Sequence, residues 1–93
     1  MDREWSAIDA IFNLPVFGGK RDVLYGYVDE ARQTIDWLGL HAAIGSWSHG
    51  EQVLVRIAHA LYNAEDAIPL TELSVLSPDL GQAVLTIIRQ RYW

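Results

Sequence analysis

A chain of 93 residues has room for one domain with a single modest core, since a chain this short buries roughly two thirds of the surface it exposes when unfolded. Its 51% hydrophobic and 20% charged residues exclude the disordered regime, and the absence of cysteine excludes disulfide frameworks, thiolate metal sites and thiol chemistry. The net charge of −5 works against broad attraction to phosphate backbones or anionic lipid.

The charged start, Met1 to Trp5, lacks the basic flank and apolar stretch of a signal peptide. No apolar run is long enough to span a membrane, so a cytoplasmic location is expected. From near Asp2, the residues Trp5, Ile8, Ile11 and Phe12 recur at three- and four-residue spacing and predict a short helix. Asn13-Leu14-Pro15 ends it, because the residue before proline is pushed away from helical angles. Val16 to Lys20 reads as a loop in which Gly18 and Gly19 can take positive φ. Lys20 does not make this a phosphate-binding P-loop, because the glycine spacing, the following hydroxyl and the preceding strand are missing.

Residues 21–38 carry Leu24, Tyr27, Val28, Ala31, Ile35 and Leu38 at helical spacing, opposite Asp22, Asp29, Gln33 and Asp36. This pattern predicts one long amphipathic helix, with Gly26 on its polar side and Gly39 ending it in a left-handed cap. Leu40 to Ile44 is apolar enough for a short buried helix. Ser48, followed three places on by Glu51, is a capping box: each side chain satisfies the other residue's amide. The helix it opens bears Leu54, Ile57, Ala58 and Leu61 on one face and is expected to end around Asn63.

Residues 64–76 are expected to connect, with Pro69 in the middle and one helical turn at Thr71 to Ser74. Ser77, Pro78 and Asp79 then supply an N-cap, a first-turn proline and a dipole-compensating carboxylate. Leu80, Val84, Ile87 and Ile88 predict the buried stripe of the last helix, and Arg89 and Arg91 suit its C-terminal end. Strand signals are weak throughout. The expected fold is all-α, a single domain over residues 1–93 built as a small compact bundle of three main helices plus two or three short helices.

Trp47 to Leu61, WSHGEQVLVRIAHAL, resembles the signature motif and following helix of ABC-type ATPases at Ser48, Gly50, Glu51, Gln52, Ile57, Ala58, Ala60 and Leu61. The resemblance implies a contact from Ser48, Gly50 and the helix N-terminus to the γ-phosphate of a nucleotide held by an opposing subunit. His49 and His59 depart from that pattern, and the chain has neither a Walker A loop nor a Walker B strand. A capped helix with an apolar face accounts for the same letters. Ser48, Gly50 and Glu51 therefore stand as weak anion-site candidates.

His41, His49 and His59 lack the three- or four-residue spacing that places two ligands on one helix face, so no metal site and no cofactor is expected. His41 is expected to be partly buried, His49 exposed, and His59 at the edge of its apolar stripe. The pairs Asp29-Glu30 and Glu65-Asp66 do not converge, and no serine sits in a nucleophile elbow. No catalytic residue is assigned. Aromatic residues make up 11% of the chain, and those outside the core stripes are the kind that anchor interfaces. Tyr25, Trp47, Tyr92 and Trp93 are the interface candidates. The expected role is a non-enzymatic protein–protein interaction or assembly module whose partner is another protein or a second copy of the chain. A nucleic-acid-associated regulatory protein comes second: Lys20, Arg21, Arg32, Arg56, Arg89 and Arg91 can gather on one surface, but the helix opened by Ser48, with one arginine and two histidines, makes a poor reading surface. A small enzyme or a nucleotide-contacting accessory domain comes third.

Overall fold

In a computed structural model that describes residues 3–63 and 70–93, the fold is all-α. Its principal helices are α1 (Arg3–Phe12), α4 (His49–Asn63) and α5 (Pro78–Tyr92), with two shorter ones, α2 (Arg21–Tyr25) and α3 (Trp37–Ala43). Two 3-10 segments, Pro15–Phe17 and Leu70–Val75, and a minimal hairpin of β1 (Val28–Asp29) and β2 (Thr34–Ile35) complete the described elements. The radius of gyration, 12.3 Å, matches the ~12 Å of a compact domain of this length. No described helix is long and apolar enough to cross a membrane. The first two residues, the Glu65-Asp66 pair and Pro69 lie outside the described residues.

Helix α1 forms as its periodicity dictates, burying Ala7, Ile8, Ile11 and Phe12 against α4 and α5. The core continues through Phe17, Leu24, Leu40 and Ile44 to Val53, Leu54, Ile57, Ala58 and Leu61 on α4, and to Val84 and Ile87 on α5. The capping box is made: the Glu51 amide donates to Ser48 Oγ at 3.2 Å, and the Ser48 amide donates to Glu51 Oε1 at 3.1 Å. Ser77 caps α5 by accepting from the Leu80 amide at 3.3 Å. Arg91 ties three helices together, its Nε donating to the Leu61 carbonyl and its Nη2 to Glu4 Oε1, each at 3.0 Å.

The long helix expected over residues 21–38 is replaced by α2, the hairpin and the start of α3. Gly26 caps α2 instead of bending a longer helix. Val28 pairs with Ile35 and Asp29 with Thr34 across a turn in which Gln33 has φ 52° and the Arg32 amide donates to Asp29 Oδ1 at 3.2 Å. Hairpin and helix coincide in the letters: Leu24, Tyr27, Val28 and Ile35 face the core in both, whereas Ala31 and Leu38 do not. Leu38 is 86% exposed.

Gly39, expected as a helix terminator, lies in the first turn of α3. There Asp36 caps the helix by accepting from the Gly39 amide at 3.1 Å. A Cβ on Gly39 would run into the capping carboxylate of Asp36 and meet the Tyr27 ring at 3.0 Å, so a larger residue here has to displace both side chains. No glycine has positive φ, Gly18 and Gly19 included; the expected loop around them is a 3-10 turn and a run of tight turns.

Candidate functional site

Three places on the fold gather side chains with chemical or recognition potential. The first is the N-terminus of α4. Here the carboxylate of Glu51, only 6% exposed as a residue, accepts from the Ser48 amide and from Ser48 Oγ at 2.9 Å, and meets Lys20 Nζ at 2.5 Å. Lys20, followed by the Ser48 contacts, holds the Glu51 carboxyl below the usual carboxylate range against the opposing effect of burial. The anion expected at Ser48 and Gly50 is thus supplied by the chain itself. An incoming phosphate would have to displace a buried, paired carboxylate. Trp47 covers the same corner, half-buried, with its ring 6.1 Å from that of Phe17 and Lys20 Nζ 5.1 Å from its centroid. It packs on the core instead of projecting from it.

The second place was not legible in the histidine spacing. Helices α3 and α4 bring His41 Nε2 within 3.1 Å of His59 Nδ1, although the residues are 18 positions apart. Trp37 stacks on His59 with ring centroids 4.3 Å apart and planes inclined by 5°. Tyr62 closes the group, its ring 5.9 Å from Trp37 and its hydroxyl donating to the Gln33 carbonyl at 2.7 Å. A hydrogen bond between two imidazoles requires one N–H and one lone pair, so the facing nitrogens share one proton. Two nitrogen donors fall short of the three or four ligands zinc takes, and no group of three metal-ligating side chains occurs among the described residues. His49 stands apart, exposed and 3.0 Å from Glu72 Oε2.

The third place is the outer surface of α5. Its buried stripe, Val84 and Ile87 with half-buried Leu80, faces the core. About a quarter-turn round the helix, Leu85 and Tyr92 are 52% and 50% exposed, Trp93 beyond them is 84% exposed, and half-buried Ile88 fills the interval. Leu85, Ile88, Arg89 and Trp93 line a shallow apolar depression. The Arg91 guanidinium lies 4.7 Å over the Tyr92 ring. Of the four interface candidates, Tyr92 and Trp93 are displayed to solvent. Tyr25 is not: it packs edge-on against Phe12 at 5.6 Å, donates its hydroxyl to Asp9 Oδ1 at 2.9 Å and accepts from Asn13 Nδ2 at 3.0 Å. The expectation that it projects from a long helix fails because that helix ends at Gly26.

Four of the basic side chains are engaged within the chain. Lys20 pairs with Glu51, Arg21 donates to the Asn13 carbonyl, Arg32 lies near Asp29, and Arg91 binds Glu4. The cleft between α1 and α5, lined by Arg3, Ser6, Ala7 and Arg91 among others, holds about 210 Å³, less than the ~300–1,000 Å³ of small-molecule sites. No family model, curated protein or solved structure matches the chain.

Proposed function

We propose that this protein is a cytoplasmic, non-enzymatic assembly module that self-associates through the outer face of α5. The observation that carries this reading is the apolar stripe of Leu85, Ile88 and Tyr92 continued by Trp93, set on a helix whose other face is already consumed by the core. Exposed large aromatics beside aliphatic side chains are the residues that dominate binding energy at interfaces. Gln82 and Arg89 flank the stripe on its solvent side, a polar margin of the kind that borders protein interfaces. A helix of 15 residues is only about 22 Å long. The contact is accordingly small, and micromolar rather than nanomolar association is expected.

Light scattering coupled to size exclusion, over a concentration series reaching the millimolar range, tests the reading. The native chain is expected to shift from monomer to dimer with concentration. Leu85→Glu is expected to remain monomeric with an unchanged circular dichroism spectrum, since residue 85 is outside the core. A native chain that stays monomeric throughout would refute self-association.

A further inference from the structure

We infer that the cleft between α1 and α5 binds a small monocarboxylate with a short aliphatic tail, its charged end held by the guanidinium groups of Arg3 and Arg91. The polar side chains on the cleft walls can all donate hydrogen bonds: Arg3 and Ser6 from α1, Gln90 and Arg91 from α5. No aspartate or glutamate lines it among the described residues, although acidic residues outnumber basic ones in the chain by 12 to 7. Arg91 is already ordered there. Its side chain is 19% exposed, its Nε donates to the Leu61 carbonyl and its Nη2 to Glu4. These two bonds leave three of the five N–H donors of a guanidinium for a ligand, and a fork held in advance loses little entropy on binding.

Charge and shape choose among oxyanions. Glu4 offsets the charge of Arg91, whereas Arg3 meets no carboxylate among the described residues. The cleft thus keeps a surplus of one positive charge in a chain of net charge −5, which suits a monoanion better than a dianion. Ala10 and buried Ile87 add an apolar wall that a hydrated phosphate would leave bare and an aliphatic tail would cover. The volume of about 210 Å³ is too small for a drug-sized molecule and suits one of few atoms, for which a Kd of about a millimolar is expected. The site lies on the α1-facing side of α5, away from Leu85 and Tyr92, and is independent of self-association.

NMR titration of the ¹⁵N-labelled chain with sodium butyrate at constant ionic strength tests the assignment, with sodium chloride, butanol and inorganic phosphate as the other arms. Butyrate is expected to give saturable shifts at Ser6, Ala10 and the Gln90 side-chain amide. Butanol and chloride are expected to give none, and phosphate weaker binding. Arg3→Gln, at an exposed position, is expected to fold as the native chain does and to weaken butyrate binding by about tenfold or more, the loss of one charge-assisted hydrogen bond. Leu85→Glu is expected to bind butyrate as the native chain does. Butanol shifts equal to those of butyrate, or butyrate binding unchanged in Arg3→Gln, would overturn the anion site. Phosphate binding as tight as that of butyrate would overturn the monocarboxylate assignment.

Discussion

Tyr25 shows what the physics of one residue can decide. Burial first, then the hydrogen bond to Asp9 and that carboxylate's charge, push its phenol up to about 12 from an ordinary value of 10. The neutral phenol is the form that donates to Asp9, so folding favours protonation. The stabilisation is fully present below the unfolded value near 10 and is lost as pH rises toward the folded value. Spectrophotometric titration should therefore resolve one tyrosine ionising near pH 12, and Tyr25→Phe should abolish that late step. Gly39 offers a sharper contrast. Helix propensity alone says that alanine there would stabilise α3 by about 1 kcal/mol. The approach of the Asp36 carboxylate and the Tyr27 ring says the opposite, and overpacking of this kind costs about 1–3 kcal/mol. Chemical denaturation of Gly39→Ala is expected to show a net loss of stability. Asp36→Ala, which removes the obstructing carboxylate along with the cap, should make a second change to Gly39→Ala less damaging than it is alone.

Among the elements, α1, α4 and α5 were legible because each carries redundant signals. Apolar period, cap and breaker agree at Asn13-Leu14-Pro15, at Ser48 with Glu51, and at Ser77 with Pro78. Residues 21–38 were misread because one signal, a 3.6-residue period, stood alone. The competing cues were local ones: Gly26 where α2 stops, β-branched Val28 facing β-branched Ile35 with Thr34 beside it, and Asp29 and Asp36 accepting from amides three residues on. The meeting of His41 and His59 was illegible for a different reason, since it is created by the packing of α3 on α4 and no spacing within one helix encodes it. Tyr92 and Trp93 could be found because they lie past the last core position of α5, whereas Tyr25 and Trp47 were judged from neighbouring letters that their partners override. The hairpin carries its own prediction. Gln33 occupies left-handed backbone space at φ 52°, a conformation costing a non-glycine residue about 1 kcal/mol or more. Gln33→Gly keeps the carbonyl that accepts from Tyr62. It is expected to raise the thermal midpoint by roughly 2–6 °C in calorimetry.

At the scale of the molecule, Lys20 to Glu51, and Arg91 to Glu4 beside the Leu61 carbonyl, are charged contacts that join segments distant in sequence. They differ in burial. The Glu51 side chain is 8% exposed against 40% for Glu4, so solvent screens the second pair more and the first sets the response to acid. Because Lys20 and Ser48 hold the Glu51 carboxyl below its ordinary value of 4.5, folding binds fewer protons than the unfolded chain does. Stability from this group is complete above the unfolded value and drains away as pH falls through the folded one. Glu51→Gln keeps the shape and one acceptor but removes the charge facing Lys20. At neutral pH it is expected to cost about 1.5–3 kcal/mol, the scale of a charge-assisted hydrogen bond. Urea melts of the native chain and the variant between pH 7 and pH 3 should therefore converge as the medium acidifies. Curves that already coincide at pH 7 would mean that Glu51 stabilises the entrance to α4 through the capping geometry glutamine preserves, with the charge contributing nothing.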